Sequence, residues 1–271
     1  MQPRVAPPAA VITLAYLVAT LPLFWRTTLS TRDTILLAAH LAAIACLWWV
    51  MRARGARALA DWLPLMLVPV LYAELPSLMG EPVYADPLVR AWELALFGTQ
   101  PAQTLAGSVP SVLLSELLHL GYLLYYPIVY VPPLMLYLAG RSEELRRTVL
   151  AVMLTYALCF IVFVFFPVEG PRYAWDPPPR IPRGPLRSLA ATILERGSSR
   201  GTAFPSSHAA VAVAQAVLAL RYQRRLGVAV AVVALLLMLG AVYGGFHYAV
   251  DVLAGAALGA IVALGVIRAF P

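Results

Sequence analysis

Two short stretches carry residue types that do chemistry. Phe204-Pro205-Ser206-Ser207-His208 opens one apolar run, and His247-Tyr248-Ala249-Val250-Asp251 opens the last one. Proline in a first helical turn and serine near the cap are helix-start signals. The backbone N–H groups at such a start lack intrahelical acceptors and suit an anion, which places His208 within the first turn of an anion site. His247 and Asp251 are four residues apart and share a helical face. The carboxylate can hold one ring nitrogen and leave the other free as nucleophile or base.

The two histidines are 39 residues apart, enough for the chain to cross a bilayer, turn at Arg221-Tyr222-Gln223-Arg224-Arg225 and cross back. Both therefore reach the same depth on the same side. A third feature emerges there, the stretch Pro167-Val168-Glu169-Gly170-Pro171-Arg172-Tyr173, and Arg200 lies just before the Ser-His motif. Two imidazoles, a carboxylate, a helix start and several guanidiniums suit a phosphate ester. One histidine attacks phosphorus, the other protonates the leaving oxygen, and Arg172, Arg200 and the N–H groups near Ser206 and Ser207 hold the equatorial charge. No outer carboxylate cluster has metal-ligand character, so a metal-independent reaction without a cofactor is expected.

These residues need a membrane scaffold. The chain has 271 residues, 61% of them hydrophobic and 12% charged, with a mean hydropathy of +0.79. Eight apolar segments, near 9–25, 34–51, 61–80, 111–139, 148–168, 204–220, 226–243 and 248–267, are long enough to cross about 30 Å of hydrocarbon. The expected fold is all-α: a polytopic membrane helix bundle of about eight spans. Residues 1–80 form N-terminal spans and residues 81–271 the catalytic domain. The segment 111–139 carries Pro127, Pro132 and Pro133, which predicts a kink or a start outside the bilayer. A short interfacial helix is predicted from Asp86 and Pro87 to Gly98, with Leu88, Trp92, Ala95 and Leu96 on one face. The proline-rich stretch 176–185 is predicted to be an irregular loop.

The formal net charge is +7, and all 20 cationic residues are arginine. With both termini cytoplasmic, the cytoplasmic loops hold most of the arginine, as short inner loops normally do. This orientation places the site on the extracytoplasmic face of a bacterial-type inner or plasma membrane. Six arginines between residues 169 and 203 break that trend, which suggests local use. Arginine spread between apolar spans does not make the basic face that nucleic acid needs. Cys46 and Cys159 lie in apolar runs without metal-ligand spacing and are expected as free thiols. Glu116 and His119 share a face near the outer end of the fourth segment and are weaker candidates for substrate or acceptor contact. Tyr173 and Tyr243 are weaker still, and His40 reads as structural.

Together the motifs resemble the type 2 phosphatidic acid phosphatase superfamily, whose signatures read K-x6-R-P, P-S-G-H and S-R-x5-H-x3-D. The resemblance covers roughly residues 81–267 and implies a six-helix core. It implies that His247 forms a phosphohistidine, that Asp251 orients it, and that His208 is the general acid. Ser207 replaces the glycine of the second motif, and Gly240 and Ala241 replace the Ser-Arg of the third. In the first motif Arg172 matches, with Phe165 at the lysine position and Tyr173 in place of proline; Arg180 and Arg187 also share the family spacing. These departures are most similar to the branch related to inositol-phosphorylceramide synthases, which contains phospho-headgroup transferases as well as phosphatases. The expected activity is hydrolysis of a lipid phosphate ester or diphosphate. The alternatives are transfer of a phospho-headgroup to a lipid alcohol and, more distantly, anion transport, which would favour broken helices and repeat symmetry. Oligomeric state has no signature in the sequence.

Overall fold

A computed structural model describes residues 6–26, 28–53, 55–175 and 181–270. Fourteen α-helices are formed among them. Helix α1 (Pro8–Thr20) runs on as a 3-10 helix (Leu21–Arg26), followed by α2 (Thr31–Arg52), α3 (Arg57–Ala73) and α4 (Leu75–Met79). Then come α5 (Asp86–Phe97), α6 (Pro101–Ser108), α7 (Val112–Leu123), α8 (Tyr125–Leu138) and α9 (Ser142–Phe165). The chain ends with α10 (Pro171–Ala174), α11 (Pro185–Gly197), α12 (Ser207–Tyr222), α13 (Arg224–Tyr243) and α14 (Ala249–Ala269). Among the described residues the only β pairing is one parallel bridge between Val168 and Thr202. The fold is an all-α polytopic bundle.

Five helices are long and apolar enough to cross a membrane, and a sixth crossing arises if α7 and α8 count as one bent span. The other two apolar segments of the sequence are a helix broken at Glu74 and the 16-residue α12. The 43° bend between α7 and α8 falls at Leu124. Pro127 explains its place: it has no N–H for the Leu123 carbonyl, and its ring crowds that carbonyl. Farther along α8, Pro133 frees the Val129 carbonyl in the same way, and the buried Gln215 side chain of α12 donates to it at 3.0 Å. In lipid such a freed acceptor needs a partner within the protein.

Helices α12 and α14 approach most closely where Gly255 and Gly259 of α14 face backbone of α12. A Cβ on Gly255 would strike the Ser206 carbonyl, and one on Gly259 the Ala210 carbonyl. This small-residue contact brings the two histidine-bearing helices together without intervening side chains. Polar pairs join the N-terminal helices to the rest and to one another. Arg146 of α9 donates to Asp61 of α3 at 2.9 Å. His40 of α2 lies 2.9 Å from Glu74 and 2.8 Å from the Leu17 carbonyl, all within the bundle.

Helix α5 forms within a residue of its expected limits, closed by Gly98 in the left-handed region. Its apolar residues Leu88, Trp92 and Leu96 face outward, while Asp86, Val89 and Glu93 face the protein. Part of the expected loop 176–185 lies outside the described residues. Residues 181–184 are irregular, and Pro185 already begins α11. Gly184-Pro185 is a start signal, and Leu186, Ala190 and Leu194 repeat at helical spacing behind it. The proline count alone hid that helix.

Candidate active site

The site lies where α12 and α14 begin. The His208 and His247 rings are 5.9 Å apart between centroids. Both line a small cleft, together with Arg172, Ser198, Ser207 and Phe246. The bridge between Val168 and Thr202 ties the Arg172 stretch to the segment entering α12: the Ala203 N–H donates to the Val168 carbonyl at 2.9 Å. Asp86 of α5 fixes the same stretch, accepting the Glu169 N–H at 2.8 Å and the Gly170 N–H at 2.9 Å. Gly170 has a φ of 94°, and a Cβ there would press on Ala203 and Phe246, so glycine is what the close turn needs.

His247 is buried, and its Nδ1 lies 3.0 Å from the Ala203 carbonyl. A carbonyl only accepts, so the proton sits on Nδ1 and the Nε2 lone pair is free. Its pKa is pulled down to about 4, chiefly by burial, against the Ala203 hydrogen bond and with help from the Arg172 charge. The ring is therefore neutral at physiological pH, as a nucleophile requires. Asp251 stands 3.6 Å from Nδ1, beyond hydrogen-bond length, because its carboxylate accepts the Tyr248 N–H of its own helix at 2.8 Å. The direct hold on His247 is thus the Ala203 carbonyl, which no residue type in the sequence could reveal.

His208 is packed between two aromatic rings. Tyr122 stacks on it with centroids 5.1 Å apart, and its hydroxyl lies 3.5 Å from Nε2. Tyr125 lies 4.3 Å away on the other side of the bend. Ser206 caps α12 through the Ala209 N–H at 3.3 Å. Ser207 and His208, whose own N–H groups lack intrahelical acceptors at a helix start, both line the cleft. Arg172 donates to Ser198 at 2.6 Å and has no carboxylate partner among the described residues.

Other candidate residues sit elsewhere. Arg200 is 58% exposed on its side chain, pairs with Glu169 at 2.6 Å and lies over the Tyr173 ring, outside the lining of the cleft. The Glu169 carboxylate beside it is the stronger attraction for an exposed guanidinium. Glu116 accepts the Leu186 and Arg187 N–H groups at 2.8 and 2.9 Å and so caps α11 from a neighbouring helix. His119 lies 2.6 Å from the Ser115 carbonyl, behind Phe246. Tyr243 donates to the Val109 carbonyl at 2.8 Å, away from the histidines. Arg180 lies outside the described residues. Arg187, which the sequence marks only by spacing, packs over the Phe246 ring at 5.0 Å with Nε and Nη1 buried and unpartnered. Among the described residues, no three His, Cys, Asp or Glu side chains converge as a metal site would require. Cys46 and Cys159 are free thiols.

No curated protein and no solved structure matches the chain. A family model described as the PAP2 superfamily matches residues 91–265, a span that takes in α7 to α13, most of α14 and both histidine motifs. With most of its length covered by that match and both motifs placed around one cleft, the chain belongs to the type 2 phosphatidic acid phosphatase (PAP2) superfamily.

Proposed function

We propose that this protein is an integral membrane lipid phosphatase that hydrolyses a lipid phosphate ester or diphosphate through a phosphohistidine on His247. The superfamily supports phosphatase or phosphotransferase activity on lipid phosphates in general. The observation that carries the finer reading is the pair of imidazoles 5.9 Å apart with Arg172 on the same cleft.

In this reading Nε2 of His247 attacks phosphorus and the P–O bond to the lipid breaks. His208 gives its proton to the departing oxygen; an incoming phosphoryl anion favours the protonated ring. Arg172 and the N–H groups of Ser207 and His208 hold the spreading charge. Water then attacks phosphorus, His208 takes its proton, and the P–N bond breaks to restore neutral His247. A lipid alcohol in place of water gives the phosphotransferase of the inositol-phosphorylceramide-synthase-like branch. The Ala203 carbonyl positions the His247 ring, Asp251 fixes the backbone of the next residue, Tyr248, and no metal takes part. The arginine distribution supports cytoplasmic termini and a cleft on the extracytoplasmic face.

The test is purified protein in detergent with lipid phosphates, diphosphates and phosphodiesters, with and without diacylglycerol or ceramide. Free phosphate as the product, together with acid-labile phosphate trapped on His247, is the expected result. A new phospholipid in the presence of acceptor identifies the transferase. His247→Ala is expected to lose several orders of magnitude in turnover while remaining folded. A folded His247→Ala protein that keeps more than about a tenth of the activity sinks the covalent mechanism.

A further inference from the structure

A second cavity of about 410 Å³ is lined by His208 and not by His247. It shares Tyr72, Leu194, Ser198, Ser199, Ser207 and His208 with the cleft, whereas His247 and Arg172 do not line it. Its walls are Val68, Pro69 and Ala73 of α3 and Tyr126, Val129 and Tyr130 of α8. Arg32 and Arg196, both exposed, stand at its rim. The volume falls in the range of small-molecule sites, and the wall is apolar with a few hydroxyls. Tyr130 and Val68 each lie five residues from the helix end nearest the histidines, so the cavity descends roughly 7 Å into the bundle.

The chemistry of the cleft says what belongs there. A nucleophile and a leaving group stand on opposite sides of a phosphorus under in-line attack. If His247 attacks, the oxygen that departs, or the alcohol that later arrives, lies on the His208 side. The space continuing from that side is this cavity. We infer that it seats the alcohol portion of the substrate with its apolar chain, and that α3 is the element that selects the chain. Helix α3 ends at Ala73, before the family match begins at residue 91. One wall of the chain site thus comes from an N-terminal helix outside the matched segment, and it faces α8 inside that segment. The inference rests on the lipid-phosphatase reading of the cleft.

The experiment compares hexadecyl phosphate with butyl phosphate. Ala73→Phe puts a ring into the cavity at a residue that does not itself line the cleft. It is expected to lower kcat/KM for the hexadecyl ester by roughly tenfold or more, as crowding of an apolar pocket does, while butyl phosphate changes by no more than about twofold. Val68→Ala, on the same α3 wall, enlarges the space and must also change the hexadecyl-to-butyl ratio. It carries the test if Ala73→Phe does not fold. If the wild type turns over both esters and neither variant alters the ratio, the assignment of α3 is wrong and the lipid-phosphatase reading survives. If the wild type turns over neither, the reading fails and takes the inference with it.

Discussion

Helices α12 and α14 begin side by side, each with a histidine at its start, yet their N-termini are used in opposite ways. At α14 the protein's own carboxylates fill the positive end: Asp251 takes the Tyr248 N–H, and Glu93 takes the Ala249 N–H at 3.0 Å. At α12 only the Ser206 hydroxyl caps, and Arg172 stands nearby without a carboxylate. Both ends carry the same partial charge from the helix dipole. Filling one with side-chain acceptors leaves those N–H groups unavailable to a phosphate, and leaving the other open makes it attract one. In the proposed reading, anion binding therefore falls to the start of α12, and the start of α14 holds His247.

The largest effect that would break this contrast is at Arg172. Arg172→Ala is expected to lower turnover by roughly 10²-fold or more, the usual cost of losing one charge-stabilising donor. Arg200→Ala, which breaks an exposed pair with Glu169, is expected to change turnover by only a few-fold, in keeping with the small worth of surface ion pairs. Assay of the two variants side by side decides the matter; equal losses would mean that Arg200 swings into the cleft when substrate binds. A smaller effect is expected at Ser206. Its replacement by alanine removes the α12 cap and should cost about 1 kcal/mol of stability, read by thermal unfolding in detergent.

The smallest effect concerns the filled end. Glu93 is buried, and burial pushes its carboxyl up to about 7. Folding therefore favours the protonated form: its contribution is fully present below the ordinary value of 4.5 and is lost as pH rises through about 7,. The protein should unfold at a lower temperature at about pH 8 than at about pH 5, and Glu93→Gln should flatten that dependence. A wild-type profile as flat as the variant's would show that Glu93 does not ionise across this window.

The eight apolar runs were legible in the sequence because a bilayer demands long stretches of one character. Asp86-Pro87 and Gly98 marked α5 because proline and glycine punctuate a helix by backbone geometry alone. The kink of the 111–139 segment was visible in its prolines, and of those Pro127 sets the break. The site was legible as far as side chains carry chemistry: His208, His247, Ser207 and Arg172 do share one cleft. Three features were hidden. The Ala203 carbonyl that holds His247 is common to every residue type. Tyr122 and Tyr125 looked like any aromatic residues in an apolar run until the bend set them around His208. Arg200 has the right place in the chain, but the direction of its side chain is decided by Glu169, which lies 31 positions earlier.

The contact of Gly255 and Gly259 with the α12 backbone has a mechanical consequence. Bilayers differ in thickness, and helices answer by tilting. Two helices seated backbone to backbone tilt as one body, so the separation of His208 and His247 is insulated from the lipid around them. Among the described residues, helix α3 bears no such seam against α8, and the wall between them is made of side chains. Membrane thickness should therefore reach this enzyme through the chain it admits, and leave the phosphoryl step untouched.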